Sequence, residues 1–267
     1  MKLPISAIVV GYNEANLLIK SLPKLNFCDE ILYFDLGSTD NSKEIAKANN
    51  AKIIEHEIVP ICECIHAKYF QTTKHTWVLF IDPDEVLSQD LTNDIKFLFN
   101  ENPQLEKNIG CIMVPWIFHF KSYKLKGTIW GGIRSKVLII NNQRVDYEPL
   151  VHIGKKLKEN YDTLEIPSNG SNSLNHYWMI DYKRLIEKHL RYLKNEGEAR
   201  YKSGQRAQIL TILMEPIKAF RYSYFDRRGF KDGLTGIFLS LFWAWYETMA
   251  IFQLYKYQIE KSKNITN

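Results

Sequence analysis

Trp77-Val78-Leu79-Phe80-Ile81-Asp82-Pro83-Asp84-Glu85 is the stretch on which the reading of this chain turns. Five consecutive apolar residues bounded by polar ones read as a strand buried on both faces. Two carboxylates follow with one residue between them. On an extended backbone, residues i and i+2 point the same way, which would aim Asp82 and Asp84 at one divalent cation. Magnesium is usually held in this manner, by one or two carboxylates together with substrate phosphates. The competing reading is that Asp84 caps a following helix, with Glu85 and Asp90 near the positive end of its dipole.

Upstream of this stretch, strand and helix signals alternate. Residues 5–10 form a short apolar run, 15–22 a helical segment ending near Pro23, and 30–34 a second strand. Asp35-Leu36-Gly37-Ser38-Thr39-Asp40 reads as a turn, 42–49 as a helix, 52–55 as a short strand and 62–73 as a helix. Such alternation predicts a parallel sheet covered by helices on both faces. In such sheets ligands bind beyond the carboxyl ends of the strands. Asn13-Glu14, Asp35 and Asp82/Asp84 all fall there. Taken singly, each has a plainer explanation: Asp35 starts a turn before Gly37, and Glu14 lies in a helix's first turn.

Downstream, residues 111–120 and 133–140 read as strands that extend the sheet and wall the pocket, punctuated by Gly127, Gly131, Gly132 and Asn141-Asn142. After His176 the chain turns helical, with apolar residues at helical spacing over 181–196. Lys218, Arg221, Arg227, Arg228 and Lys231 then form a basic patch laced with Phe220, Tyr222, Tyr224 and Phe225. Residues 233–255 are almost wholly apolar and long enough to span a bilayer, but Glu247 near the middle would be costly there. An interfacial or protein-packed amphipathic helix, with the basic patch facing an anionic membrane surface, is the expectation. The alternative is a soluble core helix with a solvated basic face. The expected division is a catalytic domain over 1–178 and a helical C-terminal extension over 179–267.

The composition is globular, with 45% apolar and 24% charged residues. A formal charge of +5 is too modest to argue for nucleic acid. Cys62-Glu63-Cys64-Ile65-His66 resembles a metal cluster at first sight but has no second pair at a usable distance. The four cysteines therefore read as thiols in a reducing cytoplasm. The run 5–10 is shorter than a signal-peptide core, so the expectation is a cytoplasmic chain, held peripherally on the inner face of the membrane by the basic C-terminal patch.

In order and spacing, Val9-Val10-Gly11-Tyr12-Asn13-Glu14, Asp35-Leu36-Gly37-Ser38-Thr39-Asp40 and the stretch 77–85 resemble the family 2 glycosyltransferases. His176-Tyr177, Lys188, Arg191-Tyr192, Glu198-Ala199 and Arg228-Gly229-Phe230-Lys231-Asp232-Gly233 resemble its lipopolysaccharide-core β-glucosyltransferase branch. The resemblance implies a GT-A fold, an α/β architecture with a Rossmann-like mixed sheet flanked by helices. It implies an inverting, metal-dependent transfer of a sugar from a nucleotide-sugar donor, a UDP-hexose, to a glycan or glycolipid acceptor in lipopolysaccharide or other cell-surface polysaccharide synthesis. Asp84 would then be the direct ligand of Mg²⁺ or Mn²⁺, with Asp82 on the metal or the ribose. Asn13, Glu14 and Asp35 would bind base and ribose, whose imide N–H and hydroxyls are donors.

Inversion calls for a general base, and the candidates in order are Glu148, Asp146 and His152. The branch commonly has Glu after the His in the region where this chain has Val151-His152-Ile153-Gly154, and that Glu is missing. Arg134 would meet the diphosphate or an acidic acceptor, and Trp130 would stack on the acceptor sugar. Two rival readings are a sugar nucleotidyltransferase and a non-catalytic, membrane-associated nucleotide-sugar-binding protein. The first usually carries a Gly-rich basic loop where this chain has Asn13-Glu14-Ala15-Asn16. The second is discriminated by nucleotide-sugar binding without turnover.

Overall fold

The apolar runs of the first half form β1 (Leu3–Gly11), β2 (Cys28–Asp35), β3 (Lys52–Glu55) and β4 (Trp77–Ile81). The helices α1 (Ala15–Ser21), α2 (Ser42–Ala48) and α3 (Glu63–Tyr69) connect them. Then follow β5 (Glu85–Leu87), α4 (Gln89–Glu101), α5 (Gln104–Lys107), β6 (Ile109–Phe120), β7 (Tyr123–Lys124) and β8 (Ile133–Asn141). Next come β9 (Val145–Tyr147), β10 (Lys155–Leu157), β11 (Asp162–Glu165) and β12 (Leu174–Met179), and finally α6 (Tyr182–Lys202), α7 (Ile209–Arg221) and α8 (Gly233–Thr266). The computed structural model describes residues 2–149 and 155–266. The chain divides into one unit of Met1–Ile117 with Ile133–His176, and another of Phe118–Gly132 with Tyr177–Asn267.

Along the main sheet the strand order is β3-β2-β1-β4-β8-β6-β12-β5. The first four strands are mutually parallel, as the alternating pattern predicts. β8 runs antiparallel to β4 and to β6, which makes the sheet mixed. The continuous apolar character of β1 and β4 has a simple cause, because each face of the sheet is covered. Ile5, Ala7, Val9, Leu79 and Ile81 enter one apolar cluster, while Ile8, Val10, Val78 and Phe80 enter the other. Gly11 lies across from Asp35 and Val9 from Ile81, so the chain leaves β1, β2 and β4 side by side.

Helix ends depart from expectation where side chains compete with the backbone. α3 stops at Tyr69 rather than at 73, and the Thr72 and Thr73 hydroxyls donate to the carbonyls of Tyr69 and Phe70. α1 ends at Ser21, near Pro23 as expected; Pro23 itself starts no new break. It sits in the first turn of a 3₁₀ segment, Leu22–Leu25, that continues from α1, where its missing N–H costs nothing.

In the second unit, Asp181 caps α6, accepting from the Arg184 N–H at 2.7 Å. His189, Trp130 and Trp178 are all under 10% exposed and pack with Phe242 and Tyr246. Gly197 of α6 meets the Gln253 backbone of α8 so closely that a Cβ would lie 2.6 Å from that carbonyl oxygen. The run Arg228–Gly233 is a tie within this unit. The buried Asp232 carboxylate accepts from the Lys126 and Gly127 N–H groups, both at 2.7 Å.

Glu247 has a partner. Arg200 donates from both terminal nitrogens to its two carboxylate oxygens at 3.0 and 2.9 Å, and from Nε to Glu196 at 2.6 Å. By length and composition the helix Gly229–Ser262 could cross a membrane, yet Glu247 within its apolar stretch is engaged by Arg200 of α6. Glu247→Ala is expected to lower the stability of this unit by about 2 kcal/mol, because Arg200 retains Glu196. A urea titration checks this, and an unmoved midpoint would remove the network as a structural element.

Candidate active site

Asp82 is the first residue beyond β4, and the four residues from Asp82 to Glu85 form a turn rather than an extended segment. The Glu85 N–H donates to the Asp82 carbonyl at 2.9 Å, and the Asp82 N–H donates to Glu85 Oε2 at 3.1 Å. Pro83, with its fixed φ, occupies the second position of that turn. The expectation of strand-like alignment is thus corrected: the turn, not β alternation, positions the two aspartates. The cap reading of Asp84 is corrected too. Ser88 caps α4, its hydroxyl accepting from the Leu91 N–H at 3.1 Å.

Glu85 is fully buried and held by Lys136 of β8, whose Nζ donates to both carboxylate oxygens at 2.6 Å. The same ammonium is 3.5 Å from Asp82 Oδ2. Burial alone would draw the Lys136 ammonium down, but Glu85 and Asp82 outweigh it and hold the group above the ordinary lysine range. Burial likewise pushes the Asp82 carboxyl up, and Lys136 foremost among its neighbours reverses this, keeping it below the usual range.

Asp84 is oriented from another direction. β5 pairs with β12 so that His176 lies across from Glu85, which brings His176 Nε2 to 3.2 Å from Asp84 Oδ2. The Trp116 ring stacks on His176 with centroids 5.2 Å apart and planes 9° from parallel, and the Lys136 Nζ sits 5.2 Å from that indole. Two aspartates of opposite tethering therefore share one rim. Asp82 keeps 41% of its side chain exposed and Asp84 22%, whereas Glu85 offers nothing to solvent.

The first two polar clusters are joined to each other. Asn13 has φ 55° and its Oδ1 accepts from the Thr39 N–H at 2.8 Å, while its own N–H donates to Ser38 Oγ at 2.9 Å. Asp35 is buried, and its Oδ2 accepts from the Gly37 and Ser38 N–H groups at 3.2 and 3.0 Å. Gly37 has φ 87°, which suits glycine at this turn. Asn13 and Asp35 thus spend their side chains on shaping the 36–40 loop. The Glu14 backbone N–H is tied to Ser42 Oγ at 3.0 Å, at the N-terminal end of α1.

Of the base candidates, Asp146 is in β9 and Glu148 lies one residue beyond it, and β9 pairs antiparallel with β10. Asp146 is 3.5 Å from the Lys158 ammonium and Glu148 2.9 Å from that of Lys156, all four side chains being solvent-accessible. His152 lies outside the described residues. Arg134 is on β8 across from Trp116 and two residues from Lys136, hence on the same strand face. Trp130 is only 8% exposed and packs against Trp178, His189 and Trp243. That corrects its reading as an open stacking platform, since its faces are consumed by packing.

Four residues absent from the sequence-based set matter here. Lys136 and His176 fix the aspartates. Lys155 lies 4.7 Å from the Phe80 ring centroid, and burial together with Lys136 pulls its ammonium down to about 8. His66 is buried with Nδ1 3.3 Å from the Tyr147 hydroxyl and, among the described residues, no hydrogen-bond partner at Nε2. The signal for Lys136 was its alternation with Arg134 on a strand otherwise apolar beyond it.

The rim suits a hard divalent cation. Asp84 and Asp82 both present carboxylate oxygens outward, the donor type that Mg²⁺ and Mn²⁺ prefer. Among the described residues no group of three or more His, Cys, Asp and Glu could hold a metal by itself.

Comparison with known proteins follows the same line. No protein-family model matches the chain. It is 25% identical over 264 residues to a protein named uncharacterized glycosyltransferase from Rickettsia bellii, covering 94% of this chain and 85% of that one. It is 22% identical over 271 residues to a protein named lipopolysaccharide core biosynthesis glycosyltransferase LpsC from Rhizobium meliloti, covering 98% and 96%. Among solved structures it resembles the mannosyltransferase PcManGT from Pyrobaculum calidifontis in complex with GDP-Man and Mn²⁺, with TM-score 0.52, 13% identity, and coverage of 95% of this chain and 87% of that one. The fold, a mixed sheet flanked by helices and followed by a long C-terminal helix, is of the GT-A type.

Proposed function

We propose that this chain is a glycosyltransferase that moves a hexosyl group, with inversion, from a UDP-sugar to a glycan or glycolipid acceptor of lipopolysaccharide or another cell-surface polysaccharide. It works in the cytoplasm at the inner face of the membrane. The observation that carries the reading is the pair Asp82 and Asp84, turned outward at the rim of the parallel strands and tethered from behind by Lys136 and His176. Relatives named glycosyltransferases along nearly the whole chain support it.

In the reaction the acceptor oxygen bonds to the sugar's anomeric carbon. The bond from that carbon to the diphosphate oxygen breaks, its electron pair leaving with the nucleoside diphosphate, and the hydroxyl proton passes to a base. Asp84, with Asp82, would hold Mg²⁺ or Mn²⁺, which when bound supplies positive charge to the departing diphosphate. Lys136 keeps Asp82 ionised and fixed. His176 fixes Asp84. Arg134, on the Lys136 face of β8, meets the diphosphate. The loop shaped by Asn13 and Asp35, with Glu14 beside it, receives base and ribose. A positioned base contributes about 10²–10⁴-fold; Glu148 is the first candidate, then Asp146, then His152.

The test is a thermal-stability screen of UDP-, GDP- and CMP-sugars with and without Mn²⁺. A UDP-hexose should raise the melting temperature in the presence of metal, and chelator should remove the rise. Equal stabilisation after exhaustive chelation would overturn the metal, and no stabilisation by any donor would overturn the reading.

A further inference from the structure

α7 presents an apolar face to solvent. Ile209, Leu210, Leu213 and Ile217 are 62%, 67%, 67% and 65% exposed. Ile209, Leu213 and Ile217 follow one another at i, i+4 and i+8, so they form one stripe, with Leu210 beside it. Burying Ile212 and Ala219 against the rest of the helical unit satisfies the opposite side of the same helix. At its C-terminal end the stripe runs into a groove of about 620 Å³ lined by Pro216, Ile217, Phe220, Arg221 and Phe225. Phe225 is itself 57% exposed and Tyr222 47%. Soluble surfaces seldom carry so many large apolar side chains in one contiguous run.

Charge supplies the identity of the partner. Arg221 continues the stripe one turn beyond Ile217, and Lys218 flanks it. Residues 206–231 hold six basic residues against two acidic ones, and Lys218, Arg221, Arg227, Arg228 and Lys231 are all exposed. An apolar helix face bordered by exposed cations and aromatic rings matches a bilayer interface with anionic headgroups.

We propose that α7, with the aromatic turn that follows it, lies in the plane of an anionic lipid surface. In this arrangement Leu210, Leu213 and Ile217 reach the acyl boundary, a chain end fills the groove at Phe220 and Phe225, and Lys218 and Arg221 pair with headgroup phosphates. The proposal deepens the membrane-facing part of the function proposed above and moves the contact from α8 to α7. Glu247 of α8 is engaged by Arg200, while Leu234, Leu241 and Trp245 of the same helix are 85%, 55% and 40% exposed; what sets α7 apart is the pair of cations, Lys218 and Arg221, beside its stripe.

The full chain should sediment with vesicles of phosphatidylcholine mixed with phosphatidylglycerol and much less with phosphatidylcholine alone. Lys218→Gln/Arg221→Gln should weaken binding about thirtyfold, from about 1 kcal/mol per cation. Leu213→Asp/Ile217→Asp should weaken it by at least about tenfold, with an unchanged circular-dichroism melt since both positions are exposed. Ile19→Asp, on the other unit and 61% exposed, should leave binding as it is. Binding that persists in Leu213→Asp/Ile217→Asp, or that Ile19→Asp removes equally, overturns the proposal. So does a chain that ignores anionic vesicles but forms a dimer that the α7 substitutions dissociate. Asp84→Asn should sediment like the unaltered protein, so failure of the sugar-transfer reading and failure of this one register separately.

Discussion

Asp84→Asn is expected to lower sugar transfer at least about a thousandfold while leaving the melting curve nearly in place. Among the described residues the Asp84 side chain is held by His176 Nε2 at 3.2 Å, and it keeps 22% of its surface exposed. Asparagine is isosteric, and its amide oxygen can still accept from His176 Nε2, so the fold should lose no more than about 1 kcal/mol. What it removes is the negative charge on which a cation would sit. That charge matters most as the sugar–diphosphate bond breaks and charge accumulates on the leaving oxygen. Transfer assays with the best donor from the stability screen, run beside a thermal melt, separate the two effects. A well-folded Asp84→Asn protein with normal turnover would remove the cation from the mechanism.

What the sequence revealed and what it hid follow from the range of the interactions. β3 and β4 have the expected bounds: β3 is a sheet-edge strand read from the pair Ile53-Ile54 between exposed Lys52 and Glu55, whereas β4 is buried at all five positions, so its apolar run reports it directly. The three strand-end clusters were legible for the same reason. Parallel topology forces the chain to emerge on one edge wherever such a strand ends. The Asp82–Glu85 turn was misread as extended because alternation and a Pro-containing turn both bring residues i and i+2 near each other. The deciding Glu85-to-Asp82 bond is a backbone feature with no side-chain signature. Lys136 was missed because a lysine on a strand reads as solvated. Its burial depends on Glu85, 51 residues earlier in the chain. α7 was hidden by Pro216, which normally interrupts a helix, yet here lies inside one. Trp130 was misplaced because nothing local distinguishes a tryptophan that stacks on a ligand from one that packs on Trp178.

The apolar C-terminal run shows how such long-range pairing changes a functional reading. Viewed alone, its length suggests a membrane span and Glu247 argues against one. With Arg200 and Glu196 in view, Glu247 is a reason for the helix to stay within protein. Among the described residues the α7 stripe, with Ile209, Leu210, Leu213 and Ile217 each more than 60% exposed, is the apolar surface flanked by cations, whereas Leu241 and Trp245 of α8 are exposed without such neighbours in sequence.

Lys136→Met carries the second large effect, and its value is that stability and catalysis can be pulled apart. Removing the ammonium leaves Glu85 with no exposure and, among the described residues, no ion-pair partner, only the weaker pull of His176. Stranding one partner of a buried pair costs about 3–5 kcal/mol, a large part of the stability of an ordinary domain. Burial already pushes the Glu85 carboxyl up against the pull of Lys136. Without Lys136 the folded-state value rises further above the unfolded one, so the native state binds the extra proton. The variant should therefore be most stable at acidic pH, below the unfolded Glu value, and should lose that stability as pH rises through the folded value. Glu85→Gln on the same background should restore most of the loss, since a neutral amide is cheaper to bury than an unpaired carboxylate. Urea midpoints for the four proteins of this cycle, measured at two pH values, read the pairing directly. Transfer should not recover with stability in the double variant, because Asp82 has lost the ammonium that keeps it ionised and fixed. Should the double variant fold and transfer sugar at the unaltered rate, Lys136 would be a scaffold for Glu85 alone. Should Lys136→Met fall within about 0.5 kcal/mol of the unaltered chain, the buried pair would not be holding the turn at all.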